Sequence, residues 1–440
     1  MSRLSLVVSR AERLVTPAPA EVTRVGKIAR ALLARTKEIA ARYPEAEGVL
    51  VGGSYAKGTW LPGHVDLDIF VKLDPSTPEP EFDRIGLAIG AMSTKGYLTG
   101  KKFAQHPYTE ATIEGTRVNI VPCFAVKKGE WKSAADRSPF HVLLVKDLPE
   151  TTKTQVRLLK QFMKAAGVYG AEIERQGFSG YVAEVLIMKM GSFERVITWF
   201  ARGAAPKEGA PFTLADPVDP GRDLGIAVSG ESLGRMVLAS REFLGRPRLA
   251  SFRRMSGKAH PSMTKEVVAV TFSHSALSED ILWGELRKTT RHLVRHVEMR
   301  GFTIARSMAA SNNKDRSAIL LIPEFHSLPE LEQRVGPTVD RRKDAEAFVA
   351  ANAKRSRLVW VDSEARIRLL RPRVYTELRD LLTAVAKGKE GRVGASREVE
   401  LGMRKSAVVL DGARLLKASS SAEWLREGIE EITSDAIGTR

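Results

Sequence analysis

A chain of 440 residues, 43% hydrophobic and 7% aromatic, has the composition of a globular protein and not of a disordered one, with about three domains at roughly 150 residues each. Lys and Arg number 69 against 52 Asp and Glu, and the formal charge of +17 favours a polyanionic partner, nucleic acid first. Cys123 is the single cysteine, which excludes an internal disulfide and a cysteine-based zinc cluster, and no stretch approaches the roughly 20 apolar residues of a membrane span.

The opening segment MSRLSLVVSRAERLV is interrupted by Arg3, Arg10, Glu12 and Arg13, so it does not read as an apolar leader, and a cytoplasmic protein is expected. After Pro17 and Pro19, the positions Val25, Ile28, Leu32 and Ile39 recur at helical spacing, which predicts an amphipathic helix over about 20–43. Gly48 to Val51 reads as a short strand ending in the Gly52-Gly53-Ser54 turn, which can lead into another helix. From Val65 to Leu73 the chain alternates, with Val65, Leu67, Ile69 and Val71 on one side and Asp66, Asp68 and Phe70 on the other. Both carboxylates therefore share one face of a strand. Ala111 to Glu114 and Thr116 to Val121 are strands joined by Glu114-Gly115, a tight-hairpin signal, so the first 125 or so residues form an α/β domain.

From about 138 the pattern turns helical, including Thr152 to Ala166 and Tyr181 to Ala201. A strand at Glu266 to Phe272, a basic helix at Glu279 to Arg300 and strands near 302–308 and 317–322 give a β-α-β-β order that suits a small RNA-binding module. Helices near 341–354 and 374–386 and strands around 357–370 follow. The basic helix carries Leu282, Leu286, Leu293 and Val297 on one side, with Arg287, Lys288, Arg291, Arg295 and Arg300 largely elsewhere. Together with residues 341–343 and the Arg-rich stretch 366–373, it is expected to track RNA phosphates.

The chemistry sits in the string GGSYAKGTWLPGHVDLDIFV. Two acids two apart on a strand also occur on any solvent face, but here a Gly-Ser turn precedes them by a dozen residues. Such a turn exposes backbone N–H groups suited to a triphosphate. Phosphates and carboxylates repel unless a divalent ion lies between them, and in a two-metal site one ion activates the attacking hydroxyl while the other neutralises the leaving pyrophosphate.

Gly53-Ser54 followed by Asp66-x-Asp68 resembles the signature of the polymerase-beta-type nucleotidyltransferases. The strings GSYAKGTWLPGHVDLD, HPYTEATIEGTRVNIVPCF, DRSPFH, VRLLKQFMKAAGVYGAE, GFSGYVAEVL and DPVDPGRD, in order from about 53 to 223, resemble the archaeal, class I CCA-adding enzymes. The resemblance implies an α+β multidomain protein with an N-terminal nucleotidyltransferase α/β palm (1–137), a helical central domain (138–260) and C-terminal α+β RNA-binding domains (261–335 and 336–440). The implied reaction is addition of C, C and A to the 3′ end of tRNA from CTP and ATP, with Mg²⁺ and no nucleic-acid template. The oligomeric state stays open, a homodimer being the assembly considered.

The family's third metal-site carboxylate falls at Asn119 here, whose amide oxygen ligates weakly and brings no charge. A hairpin turning at Glu114-Gly115 pairs Asn119 with Glu110 on the same face. Glu110 is therefore either a restored third carboxylate or a cross-strand acid without metal contact. For Ser138-Pro139, an N-cap with a first-turn proline accounts for the pair; the resemblance adds that Arg137, Ser138 and His141 lie near the nucleotide. By composition Arg157 and Lys160 read as solvated helix residues, whereas the resemblance brings Lys160 to the triphosphate, Tyr169 beside it and Arg222 to the base edge. Lys57 stands where the family often has Arg near the incoming nucleotide. Cys123 and His106 read as structural. The competing functions are a poly(A)-type or other terminal nucleotidyltransferase and, because of Asn119, an RNA-binding homologue without catalysis.

Overall fold

Proline at a first helical position costs no hydrogen bond, and Pro19 begins the helix that the apolar stripe predicts. The computed structural model describes residues 2–103, 105–203, 212–253, 260–391 and 394–435, which divide into two compact units, 2–253 and 260–434. In the first unit α1 (Arg3–Val15) and α2 (Pro19–Ala40) precede β1 (Ala46–Gly52), a short α3 (Gly53–Lys57), β2 (Asp66–Leu73), α4 (Glu79–Ser93), β3 (Leu98–Phe103), β4 (Pro107–Ile113) and β5 (Thr116–Phe124). These strands lie in the order β1-β2-β5-β4-β3, with β2 and β5 parallel and the other pairs antiparallel. Strand periodicity sends Leu67, Ile69, Val71, Val118 and Ile120 to one side, where they pack with Ile28 and Leu32 of α2 and Phe82, Ile85 and Ile89 of α4. The opposite face carries the polar residues. The β4–β5 hairpin turns at Glu114 (φ +47°) and Gly115 (φ +73°), both left-handed, as a two-residue turn of this hand requires.

Helices follow: α5 (Ser138–Val145), α6 (Glu150–Ala165), α7 (Gly180–Met190), α8 (Phe193–Ala201) and α9 (Gly230–Gly245). The single helix expected over 181–201 is two. Gly191 takes φ +86° and ends α7, and the Ser192 hydroxyl accepts the Arg195 N–H to start α8. Phe162, Phe178, Phe193, Phe200 and Phe243 form the centre of this layer. Val8, Ala11 and Val15 of α1 join the same core, so the arginine-interrupted opening segment is an amphipathic helix of that layer.

The second unit contains β6 (Val268–Ser273), α10 (Glu279–Glu298), β7 (Ile304–Ser311), β8 (Arg316–Pro323), β9 (Leu331–Thr338), α11 (Arg342–Asn352), β10 (Leu358–Val361), β11 (Arg366–Pro372), α12 (Leu378–Ala386), α13 (Arg397–Ser406), β12 (Val408–Asp411), α14 (Gly412–Ser420) and α15 (Glu423–Ile432). Its sheets run β12-β6-β8-β7 and β10-β11-β9, so the expected β-α-β-β order is present. Helix α10 buries Leu282, Leu286, Leu293 and Val297 and leaves Lys288, Arg291 and Arg295 exposed. Arg300 differs from expectation, being paired with Glu390. Much of the Arg-rich stretch is also spent internally, since Arg371 reaches Glu332 at 2.7 Å, Arg373 the same carboxylate at 3.4 Å, and Arg368 pairs with Asp362. No described helix is long and apolar enough to cross a membrane.

Candidate active site

Parallel pairing of β2 with β5 sets Asp66 beside Arg117 and Asp68 beside Asn119, and the antiparallel β4 sets Glu110 beside Asn119. Asp68, Asn119 and Glu110 thus form a row across three strands on the face away from the helices. Asn119 Nδ2 donates to Asp68 Oδ1 at 2.8 Å, while Asn119 Oδ1 is buried without a hydrogen-bond partner. Against an ionised Asp68 the reverse amide orientation would place two oxygens against each other, and this orientation is assigned on that ground. Loss of surrounding water raises the Asp68 carboxyl above the ordinary aspartate range, opposed by the Asn119 hydrogen bond. The Gly52-Gly53-Ser54 turn closes directly over this carboxylate. Gly53 has φ +64°, and a Cβ there would stand 1.9 Å from Asp68 Oδ2, so only glycine fits.

Asp66 and Asp68 present carboxylate oxygens on one strand face, and Asn119 Oδ1 is a further buried oxygen without a hydrogen-bond partner; oxygen donors are the chemistry that hard divalent ions take. Among the described residues no three His, Cys, Asp or Glu stand together as a metal-holding group. Glu110 therefore shares the face and the register without closing on Asp66 and Asp68.

Beneath the turn lies a buried charge cluster that the sequence reading did not find. Glu184 of α7, 1% exposed, accepts Lys57 Nζ and Lys160 Nζ, each at 2.8 Å, and the Thr59 hydroxyl at 2.6 Å. Lys160 also donates to Thr59 Oγ1 at 2.9 Å and Thr59 O at 3.2 Å, so its three N–H groups all face protein. Arg157, 3% exposed, donates to Gly58 O at 2.7 Å. The solvated-face reading of Arg157 and Lys160 is thereby overturned. Burial by itself would raise the Glu184 carboxyl, but Lys160 and Lys57 reverse this and bring it down to about 2. Tyr169 lies alongside, close to Lys160: a Cβ at Gly180 would be 2.8 Å from the Tyr169 hydroxyl and 3.4 Å from Lys160 Nζ.

A second cluster gathers most of the other expected residues. Asp216, fully buried, accepts Tyr181 Oη at 2.9 Å and the Val218 N–H at 2.9 Å, with His141 Nε2 at 3.2 Å and Arg222 Nη1 at 3.4 Å. The His141 and Tyr181 rings stack at 3.7 Å, and Lys57 Nζ lies 5.1 Å from the Tyr181 ring centroid, which links this cluster to Glu184. Burial outweighs the attraction of Asp216 and pushes His141 down to about 4, so the imidazole is neutral at pH 7. Arg137 pairs with Asp219 at 2.8 Å. Ser138 is not an N-cap. It has helical angles (φ −59°, ψ −42°) and no capping hydrogen bond, because Ser133 and Asp136 satisfy each other's backbone N–H groups just upstream.

Arg117, Lys164, Glu184, Tyr181 and Asp216 also escaped the sequence reading. Lys164, one turn after Lys160, loses water and sits below the ordinary lysine range, with Asp66 opposing the shift. The available signal for Glu184 was a lone acid within the apolar run VAEVLIM. Cys123 is buried, its thiol pushed up to about 12 by burial, and His106 Nδ1 lies 2.9 Å from Asp83, both structural as expected.

Family models match in chain order: a nucleotidyltransferase domain over 33–141, the second domain of tRNA nucleotidyltransferase over 154–253 and the C-terminal domain of CCA-adding enzyme over 263–412. The CCA-adding enzyme of Pyrobaculum neutrophilum is 36% identical over 403 residues, covering 88% of this chain and 95% of that protein. That of Halorubrum lacusprofundi is 32% identical over 440 residues, covering 92% and 94%. That of Methanopyrus kandleri is 33% identical over 424 residues, covering 86% of each. The likeness extends well past residue 223, where the recognisable motifs stop.

Proposed function

This chain belongs to the CCA-adding enzymes, and from that membership we propose that it adds C, C and A to the 3′ end of tRNA from CTP and ATP, without a template and with release of pyrophosphate. The observation that carries the chemistry is the parallel β2–β5 pairing, which sets Asp68 beside Asn119 beneath a glycine turn and keeps Asp66 on the same face two residues away. Asp66 and Asp68 would hold the divalent ion, Mg²⁺, with Asn119 Oδ1 as a neutral ligand, and Glu110, opposite Asn119 on β4, would act as a supporting carboxylate beside the ion rather than closing on the pair. Two such ions bound there would supply the chemistry, one activating the attacking RNA hydroxyl and the other neutralising the leaving pyrophosphate. The Gly53-Ser54 turn offers backbone N–H groups to the phosphates. Arg137, Ser138, Tyr169 and Arg222 face the nucleotide, His141 lies behind them, and Lys57 and Lys160 support them from below through Glu184 and Thr59. Neutral His141 donates to Asp216 and keeps Tyr181 stacked, which fixes the wall on which a base is read. Residues 1–137 carry the transfer chemistry, 138–260 frame the nucleotide, and 261–335 with 336–440 hold the RNA, in the cytoplasm.

Extension of tRNA lacking its CCA end, with CTP and ATP, tests the reading. Three added nucleotides in the order C, C, A support it, a long homopolymer points to a poly(A)-type transferase, and tRNA binding without incorporation points to a non-catalytic homologue. In the same assay Glu110→Gln is expected to lose about ten- to a hundredfold in rate, the scale of removing a supporting partner of a metal site. Adding Asn119→Asp should recover most of that loss, because it returns a carboxylate to β5. Undiminished rate in Glu110→Gln alone would remove Glu110 from the site.

RNA binding on α10 is electrostatic in this reading. The combined Lys288→Ala, Arg291→Ala, Arg295→Ala variant should reduce the slope of log affinity for tRNA against log salt by about two to three. An unchanged slope places the phosphate contacts elsewhere.

A further inference from the structure

Arg117 has no part in the chemistry above, yet its side chain makes a two-pronged contact with a catalytic carboxylate. Its Nε donates to Asp66 Oδ1 at 2.7 Å and its Nη2 to Oδ2 at 2.6 Å, the parallel fork of a guanidinium on a carboxylate. Both Asp66 oxygens are therefore engaged by a cation on the face where a divalent ion needs one of them. The strand register fixes this, since Asp66 stands opposite Arg117 as Asp68 stands opposite Asn119. Neither partner is enclosed: 57% of the Arg117 side chain and 40% of Asp66 remain exposed. An ion pair so open to water contributes little to folding and exchanges readily. Asp66, Asp68 and Glu110 share this face, and Arg117 is drawn by both Asp66 and Glu110.

We propose that Arg117 is a resident counter-cation that is exchanged for substrate: it neutralises Asp66 beforehand, yields it to the divalent ion, and then takes a phosphate oxygen of the triphosphate or of the RNA 3′ end. The exchange keeps Asp66 matched with a cation throughout. Arginine suits both halves, because one planar fork fits a carboxylate and a phosphate equally well. The inference rests on Asp66 as an ion-holding carboxylate.

The test is Mn²⁺ binding to the full chain without nucleotide or RNA, read from the electron paramagnetic resonance of the free ion, followed by binding of CTP and of tRNA lacking its CCA end. For Arg117→Ala, Mn²⁺ should bind about three- to fivefold more tightly because its competitor is gone. CTP or the tRNA should bind several-fold more weakly, and the ligand that weakens names the phosphate. Arg117→Lys keeps the charge without the fork and should fall between on both measures. A merely structural arginine would weaken both kinds of binding, so Mn²⁺ affinity that is unchanged or lower overturns the proposal, as does full retention of both phosphate ligands. Mn²⁺ binding that is indifferent to Asp66→Asn would instead overturn the reading of Asp66 on which this rests.

Discussion

Asp68→Asn is expected to lower nucleotide incorporation by a factor on the order of 10³ or more while leaving the fold and tRNA binding intact. Asparagine matches aspartate in shape, and Asn119 lies within 2.8 Å to pair with it, so an amide–amide hydrogen bond can replace the present one. What disappears is a negative charge in a site whose third family carboxylate is already an amide. Charge stabilisation at such a centre is worth several kcal/mol, and about 4 kcal/mol corresponds to the predicted factor. Single-turnover extension of tRNA lacking its CCA end measures the rate, and a melting temperature within about 2 °C of the unmodified protein separates chemistry from folding. Full incorporation by this variant would end the two-carboxylate mechanism.

How far the sequence could be read follows from the range of the interactions involved. Alternation along one strand was enough to place Asp66 and Asp68 on a common face, and the Glu114-Gly115 turn was enough to pair Glu110 with Asn119, as observed. Both are local rules. The partner of β2 was not legible, because β5 pairs with it in parallel from some fifty positions away and no turn encodes that choice. The contact of Arg117 with Asp66 depends on that pairing and was hidden with it. Glu184, Lys57 and Lys160 come from three separate helices and meet only once these are packed. Conversely, the Arg-rich stretch over 366–373 looked like an RNA track until the carboxylates of Asp362 and Glu332 were seen to claim it. The break at Gly191-Ser192 has a local signature, a C-cap glycine followed by an N-cap serine, but the apolar period runs on through it and masks the stop.

Glu184→Ala is expected to destabilise the protein by about 3–5 kcal/mol, since it leaves Lys57 and Lys160 buried with no counter-charge. At about 2–4 °C per kcal/mol for a unit of this size, the melting temperature should fall by roughly 10 °C. Acid titration gives an independent reading. The Glu184 carboxyl lies at about 2 in the folded protein against about 4.5 ordinarily, so the folded state binds the proton less well than the unfolded one. Its stabilising contribution is therefore complete above about pH 5 and is lost as the pH falls toward 2, for a total on the order of 3 kcal/mol. Glu184→Gln preserves the shape and an acceptor but not the titration, and its unfolding free energy should decline less steeply below pH 5 than that of the unmodified protein. Equal slopes would show that the cluster contributes no charge stabilisation. Because Lys57 ends the short helix that begins at Gly53, and Gly53 packs on Asp68, loosening this cluster should also slow incorporation. That loss should be recovered where low temperature restores the fold, whereas the loss in Asp68→Asn should not.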